Sequence, residues 1–216
     1  RSDSGLAAEL GDRALFHSVD TRRPQELATL VQEALDWTGR LDVMINNAGY
    51  SGWKPIADVD EKFCDLMIDT NLKGVLFGCK EASKILQQGG SIINISSLAG
   101  KRGSANNSVY CASKFAVNGI TQALAKELGY RGIRVNAVCP VYVETEGLLE
   151  ALEDSAAPPK GVEVATYLKD FAAANSALGT LPSGADIGRT CLFLASENAS
   201  AITGQCLNVD CGVLPQ

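Results

Sequence analysis

Short apolar runs alternate along the chain with longer segments whose apolar residues recur every three or four positions. The first kind is typical of buried strands, the second of helices that pack on one face. The predicted strands are 14–19, 41–45, 91–96, 133–138 and 206–209. The predicted helices are 24–38, 58–87, 108–128, 162–174 and 186–195. This alternation predicts an α/β fold with a doubly wound parallel sheet and helices on both faces.

One segment departs from the alternation. Residues 144–178 contain Pro158-Pro159 and charges of both signs, with one helical stretch inside. Insertions of this kind lie at the carboxyl edge of such sheets, where lids over binding sites form. We therefore expect a single domain over 1–216 with a substrate lid at 144–178.

Composition and charge narrow the class of protein. The 216 residues are 46% hydrophobic and 20% charged, as in an ordinary globular protein, and the net charge is −6. An acidic chain lacks the basic footprint needed to bind nucleic acid or an anionic membrane. The apolar runs also fall short of the roughly 20 residues of a membrane span. We expect neither a nucleic acid nor a membrane as partner.

The small number of cysteine and histidine residues excludes several kinds of metal and catalytic site. The 7 cysteines form no CxxC pair, and the one histidine, His17, lies in the predicted strand 14–19. A zinc site, a disulfide framework and histidine-based nucleophilic catalysis are therefore not expected. The cysteines are interpreted as reduced core residues of a cytoplasmic protein.

Tyr110 and Lys114 are the strongest candidates for chemistry. They stand at i and i+4 on the predicted helix 108–128, so an ammonium can favour ionisation of the phenol, whose pKa is otherwise about 10. Ser97 follows the strand 91–96, where a hydroxyl can point into the ligand crevice of an open α/β sheet. The alternatives are an ordinary surface Tyr–Lys pair and a serine that caps local backbone.

A set of short motifs occurs in one order along the chain. It comprises Asn46-Asn47-Ala48-Gly49, Asn71 in Asn-Leu-Lys-Gly, Ser97, Tyr110-x-x-x-Lys114, Pro140 with Thr145, and Thr203-Gly204-Gln205 with Val209-Asp210-x-Gly212. Together these motifs resemble the short-chain dehydrogenase/reductase family over essentially the whole chain. The resemblance implies a Rossmann-like fold, NAD or NADP as cofactor, and a small-molecule alcohol or ketone as substrate. It also implies a homotetramer built through the helices 58–87 and 108–128.

The resemblance assigns roles to residues. Tyr110 would be the catalytic acid/base, and Lys114 would lower its pKa and bind the nicotinamide ribose. Ser97 would hold and polarise the substrate oxygen, and Asn71 would support a proton relay through water and Lys114. The implied cofactor contacts are Asp20 at the adenine, Asn46, Ala48 and Gly49 along the adenosine, and Val143 and Thr145 at the carboxamide. On a purely structural interpretation, Asn46 and Gly49 make a tight turn and Asn71 kinks its helix.

The chain departs from the family pattern at three places. Val141 stands where a glycine usually follows Pro140, which restricts the backbone and crowds a nicotinamide. Cys211 stands where the family often has another glycine. The strand, TGxxxGxG turn and helix with which members begin are not found, since no two glycines are two positions apart. We expect that unit, of about 30 residues or more, to be missing from this sequence.

The function expected from these residues is NAD(P)-dependent interconversion of a secondary alcohol and a ketone. The substrate segment contains Tyr167, Leu168, Lys169 and Phe171, a mixture that suits a polyol, a sugar, a steroid or an acyl chain. Among these we slightly favour a small polar alcohol or a sugar. Two alternatives stay open: a catalytically inactive relative with a regulatory or assembly role, and an epimerase or dehydratase that uses the same tyrosine and lysine.

Overall fold

The centre of the computed structural model, which describes residues 5–215 apart from the side chain of Leu6, is a sheet of four parallel strands. The strands follow one another in the sheet as in the sequence: β1 (Val43–Asn46), β2 (Ser91–Ile95), β3 (Arg134–Pro140) and β4 (Cys206–Val209). In the register, Asn46 lies beside Asn94, which lies beside Ala137. The predicted parallel α/β architecture is confirmed.

Eight α-helices surround the sheet in the described part of the chain. They are α1 (Leu6–Leu10), α2 (Pro24–Thr38), α3 (Glu61–Ile68), α4 (Gly74–Ile85), α5 (Ser108–Leu128), α6 (Glu146–Leu152), α7 (Val164–Asn175) and α8 (Gly184–Ala195). Helices α4 and α5 pack on one face of the sheet, and α2 packs against α4. Helix α8 covers the other face through Cys191 and Leu194. None of the helices in residues 5–215 has the length and apolar character needed to cross a membrane.

Three predicted elements, α2 among them, have the bounds that their residues indicate. Helix α5 runs over 108–128 and β4 over 206–209. Helix α2 ends where Gly39 adopts a left-handed φ of 74°, a conformation that glycine takes without steric cost.

The predicted helix 58–87 is two helices. Helix α3 begins after Asp60, whose Oδ1 accepts a hydrogen bond from the Phe63 N–H at 2.7 Å, so the cap is Asp60 and not Asp58. A π-helical turn at Asp69–Lys73 then separates α3 from α4. Both differences arise from local hydrogen bonding that a periodic pattern does not encode.

The predicted strand 14–19 is wrong. The segment has no regular secondary structure and, within residues 5–215, pairs with no strand, and Leu15 and Phe16 are 57% and 45% exposed. Alternating polarity indicates an extended backbone, whereas a strand also requires a hydrogen-bonded neighbour. His17 pairs instead with a helix, its Nδ1 lying 2.5 Å from Glu33 Oε2 on α2.

Residues 146–175 form a helical segment beside the sheet. It contains α6, which the sequence pattern did not predict, and α7, which replaces the predicted helix 162–174. Leu152, Ala157 and Leu168 of this segment form one buried apolar cluster with Trp53. The segment is therefore anchored to the loop that follows β1.

The two substituted glycine positions behave differently. Among the described non-glycine residues, only Asn106, Lys160 and Cys211 have a positive φ. The backbone at Val141 therefore does not require glycine. Cys211 does occupy the left-handed region, at φ 53°. Its carbonyl accepts hydrogen bonds from Leu178 N–H and Ser176 Oγ–H, which hold the strained turn in place.

Replacing Cys211 with glycine should stabilise the protein. The substitution removes about 1 kcal/mol or more of left-handed strain, which the greater entropy of glycine in the unfolded chain partly offsets. We expect a higher urea midpoint for Cys211→Gly and no gain for Cys211→Ala, which keeps the Cβ. Equal midpoints for the two variants would mean that the turn carries no strain at Cys211.

Candidate active site

Tyr110 and Ser97 meet at the carboxyl end of the sheet. Ser97 follows β2 and its Oγ accepts a hydrogen bond from the Ala99 N–H at 3.1 Å, while Tyr110 lies in the first turn of α5. Burial raises the pKa of Tyr110, and a hydrogen bond with the Ser97 side chain opposes this rise. The structure thus brings the predicted hydroxyl and phenol together. The net direction of the pKa is opposite to the lowering expected from Lys114.

Lys114 lies one turn beyond Tyr110, on the same side of α5. Its side chain is buried, its Nζ donates to the Ile95 carbonyl at 2.9 Å, and Nζ lies 5.7 Å from the centroid of the Tyr110 ring. Burial lowers the pKa of Lys114 to about 8. The same loss of water therefore disfavours both the phenolate and the ammonium, which is why the cation does not dominate the pKa of Tyr110.

Asn71 is completely buried in the π-helical turn between α3 and α4. Its Oδ1 accepts from the Tyr50 N–H at 2.8 Å, and its Nδ2 donates to the Tyr50 carbonyl at 2.8 Å and to Ser113 Oγ at 3.1 Å. Asn71 therefore joins the loop after β1 to α5. Asn71 thus lies both in an irregular turn of its helix and among the candidate site residues, so its structural and functional interpretations agree.

Gly49 lies between the side chains of Asn71 and Lys114. A Cβ at this position would lie 3.5 Å from Asn71 Oδ1 and 3.8 Å from Lys114 Nζ. The missing side chain thus leaves a space bounded by an amide oxygen and an ammonium. Ala48 and Gly49 are both exposed, so this space is reachable from outside.

Asn46 contributes to the interior of the protein. Its Nδ2 donates to Asn94 Oδ1 at 2.9 Å and lies 3.3 Å from Cys79 Sγ, and Asn94 Nδ2 donates to Thr121 Oγ1 at 3.0 Å. This network buries polar groups between the sheet and helices α4 and α5. Any cofactor contact from Asn46 has to come from its backbone. Asn94, a polar residue inside an apolar strand, is the sequence signal for this buried network, and sequence analysis did not use it.

Two of the remaining predicted cofactor residues, Asp20 and Thr145, form local hydrogen bonds. The Asp20 carboxylate accepts four hydrogen bonds from Arg22, including those from Nε at 2.9 Å, from Nη2 at 2.7 Å and from the backbone N–H at 3.0 Å. These hydrogen bonds lower the pKa of Asp20 to about 2. Thr145 caps α6, with its Oγ1 accepting from the Leu148 N–H at 3.3 Å. Val143 is half-buried between β3 and α6.

Aromatic residues line the helical segment 146–175. The ring centroid of Tyr142 lies 4.9 Å from that of Phe171 and 6.0 Å from that of Tyr167. Tyr142, two residues beyond Pro140, was not singled out from the sequence. Its packing against Tyr167 and Phe171 depends on the fold of the segment, and no sequence motif marks it.

Comparison with known proteins identifies the class to which this fold and site belong. A family profile described as enoyl-(acyl carrier protein) reductase matches residues 3–214. A short-chain dehydrogenase/reductase of Armillaria gallica is 36% identical over 98% of this chain and 80% of its own length. An L-2,3-butanediol dehydrogenase of Corynebacterium glutamicum is 34% identical over 94% of this chain and 79% of its own.

The fold agrees with that of a solved relative. A crystal structure from Brucella melitensis, titled short-chain dehydrogenase/reductase and glucose/ribitol dehydrogenase, superposes with a TM-score of 0.87 at 29% identity, covering 98% of this chain and 82% of that one. The chain belongs to the short-chain dehydrogenase/reductase family. It is a short-chain oxidoreductase.

The burial of Lys114 predicts a specific dependence of stability on pH. Its pKa of about 8 lies below its ordinary value of 10.5, so between these values the unfolded state binds more protons and the stability rises with pH. Relative to Lys114→Met, which cannot titrate, the wild type should gain about 2 kcal/mol in free energy of unfolding from about pH 7 to about pH 10. Urea titrations at both pH values measure this difference. Parallel behaviour of the two proteins would contradict a destabilised ammonium.

The position of Asn46 predicts which helical glycine tolerates a side chain. A Cβ at Gly78 would lie 2.1 Å from Asn46 Oδ1, so Gly78→Ala should lower the free energy of unfolding by about 1–3 kcal/mol through overpacking. The control is Gly119→Ala on the exposed face of α5, where nothing lies within 4 Å. That variant should gain about 0.5–1 kcal/mol from helix propensity. Thermal unfolding of both variants decides the point, and equal effects would contradict the close approach at Gly78.

Proposed function

We propose that this protein is an NAD(P)-dependent oxidoreductase that interconverts a secondary alcohol and a ketone. The observation that carries the proposal is the convergence of Ser97, Tyr110 and Lys114 at the carboxyl end of β2. Ligands of open parallel sheets bind at this edge. The convergence joins a polarising hydroxyl, an acid and a cation within a few ångströms, which is the set that proton transfer to a carbonyl oxygen needs.

The residues around Gly49 fit a nicotinamide cofactor. The space that a Cβ would fill is bounded by Lys114 Nζ and Asn71 Oδ1, a donor and an acceptor suited to ribose hydroxyls. The cofactor, when bound, supplies or accepts the hydride. Ala48 and the backbone of Asn46 would continue this wall toward the adenosine, and Asp20 would lie near the adenine with its carboxylate held by Arg22.

Thr145 and Val143 would meet the carboxamide of the cofactor. The Thr145 oxygen accepts the cap hydrogen bond from Leu148, which leaves the hydroxyl proton of Thr145 available as a donor. The half-buried Val143 provides an apolar contact beside it.

The chain's own residues divide the proton chemistry between them. In the reducing direction the Tyr110 hydroxyl donates its proton to the carbonyl oxygen, while the Ser97 hydroxyl donates a hydrogen bond to the same oxygen. The raised pKa of Tyr110 keeps this proton in place at neutral pH. Lys114, with a pKa of about 8, can return a proton to Tyr110. Asn71 holds the loop that carries Gly49 against Tyr110 and Lys114.

The relatives support a small polar substrate. The names of two similar proteins refer to butanediol and to glucose or ribitol, all of which carry secondary hydroxyls. We infer a small polar alcohol or a sugar, and we assign the segment 144–178 as the lid that encloses it. The half-exposed Leu76 on α4 and Phe115 on α5 support a homotetramer through these helices, and the reduced cysteines support a cytoplasmic protein.

Tyr110→Phe should abolish turnover. Losing the proton donor should lower kcat by at least about 10²-fold, with the free energy of unfolding nearly unchanged because the ring is kept. The assay follows the absorbance of the reduced nicotinamide with NADH and with NADPH over a panel of small ketones. The matched control is Tyr130→Phe, because Tyr130 is 87% exposed and has no part in the proposed reaction.

Two outcomes would contradict the proposal. Retained turnover in Tyr110→Phe would show that another group is the acid. A wild-type protein that binds neither NADH nor NADPH would support the alternative of an inactive family relative.

A further inference from the structure

Asn106, in the loop before α5, has an unusual backbone conformation. Its φ is 58°, in the left-handed region that disfavours residues with a Cβ. Asparagine enters this region more readily than most residues, but it persists there only where the surrounding contacts impose it. Lys160, in the lid segment 144–178, is left-handed as well, at φ 50°. Both residues line the same cavity, so the strained positions mark one part of the molecule.

That cavity lies where the lid segment meets the loop before α5. Its volume is about 830 Å³, and its wall is formed by Asn106 together with residues 152–156 and 159–164 of the lid segment. The lid is therefore not packed continuously against this loop. Among the hydrogen bonds of residues 5–215, one alone joins residues 144–178 to the loop before α5 or to α5 itself. In it, Asn106 Nδ2 donates to the Ala156 carbonyl at 3.0 Å.

The backbone of Asn106 is bound to two further elements of the site. Its carbonyl accepts a hydrogen bond from the Lys54 N–H at 2.6 Å, in the loop after β1. The next residue, Asn107, is the N-cap of α5, and its carbonyl accepts from the Cys111 N–H at 2.9 Å in the first turn of that helix. Asn106 thus connects the lid to the loop that carries Gly49 and to the start of the helix that carries Tyr110. These contacts hold it in the left-handed region.

On the lid, a small turn fixes the carbonyl that Asn106 binds. Asp154 Oδ1 accepts from the Ala156 N–H at 2.7 Å, and the Asp154 carbonyl accepts from the Ala157 N–H at 2.9 Å. Ala157 is completely buried in the apolar cluster that includes Leu152 and Leu168. The Ala156 carbonyl is therefore attached to the packed part of the lid, so a force on this carbonyl is transmitted to α6 and α7.

The strength of the contact suits a reversible connection. A neutral hydrogen bond gains little on balance because its two groups bind water when it breaks, and it shifts an equilibrium by about twofold to tenfold. Asn106 and Ala156 are only half-buried and Asn106 borders the cavity, so water can replace the contact. The hydrogen bond thus favours one position of the lid without making that position permanent.

We propose that Asn106 is a positioning residue that latches the lid segment 144–178 to the loop before α5 through the Ala156 carbonyl. With the hydrogen bond formed, the lid is held closed beside the first turn of α5. When it breaks, the lid moves away and the substrate enters or leaves. Asn106 acts through the lid and does not touch the substrate. This inference rests on the proposed function, because it takes the segment 144–178 as the lid over the substrate.

Hydrogen exchange followed by mass spectrometry tests the latch without requiring turnover. Asn106→Asp keeps the size of the side chain but places an oxygen against the Ala156 carbonyl, and Asn106→Gly removes the amide while it tolerates the left-handed backbone. The matched control is Gln87→Glu. It makes the same change from amide to carboxylate at an exposed side chain, whose Nε2 donates to the Ile85 carbonyl at 2.9 Å outside the site.

Both Asn106 variants should exchange about twofold to tenfold faster than the wild type in peptides from 146–175, with no change in peptides from 184–195. Gln87→Glu should match the wild type in both regions. Unchanged exchange in 146–175, or equal acceleration in 184–195, would overturn the latch. An effect of Asn106→Asp that Asn106→Gly does not share would assign it to the added charge, and would overturn the latch as well.

Steady-state kinetics separate this inference from the proposed function. If only the closed lid retains the substrate, both Asn106 variants should raise the KM for a reduced ketone by about twofold to fivefold, while kcat stays within about twofold of the wild type. A fall in kcat at unchanged KM would contradict a role in holding the lid. If the wild type reduces no ketone at all, the proposed function fails, while hydrogen exchange still decides whether Asn106 restrains the segment 144–178.

Discussion

The geometry of the site depends on the buried amide of Asn71. A single side chain satisfies both the N–H and the carbonyl of Tyr50, as a neighbouring strand would, and also reaches Ser113 on α5. Because an unpaired amide in this position would be costly, the helix that carries Asn71 takes a π-helical turn to deliver it. The loop after β1 is thereby fixed to α5, and this places Gly49 next to Lys114.

A second group of polar contacts fixes the sheet beneath the site. The amides of Asn46 and Asn94 bind each other on adjacent strands, and Asn94 continues to Thr121 on α5. The approach is possible because Gly78 leaves room on α4. Strand ends and helices are thus held by hydrogen bonds as well as by apolar packing, so the positions of Ser97 and Tyr110 are set by a rigid support.

Sequence reasoning succeeded where the signal is local. Periodicity and a stop at Gly39 or Gly129 define helices α2 and α5, and the spacing of Tyr110 and Lys114 defines one face of a helix whatever its surroundings. It failed where the outcome depends on a neighbour: 14–19 has strand polarity but no partner strand in the described chain. The inward direction of Asn46 and the unpaired indole of Trp53 are tertiary properties, which no pattern of residue types reports.

Burial shifts the pKa values of Tyr110 and Lys114 in opposite directions. Tyrosine and lysine have ordinary pKa values of 10.0 and 10.5, but here that of Tyr110 is raised and that of Lys114 falls to about 8. Tyr110 is therefore held as the neutral phenol, which is the form that can donate a proton to a carbonyl oxygen. Oxidation of an alcohol requires the opposite, and the Lys114 ammonium, directed at Ile95, does not supply it alone. In the proposed reaction, a further positive charge bound beside Tyr110 would lower the pKa of the phenol and so favour the ionised form that oxidation requires.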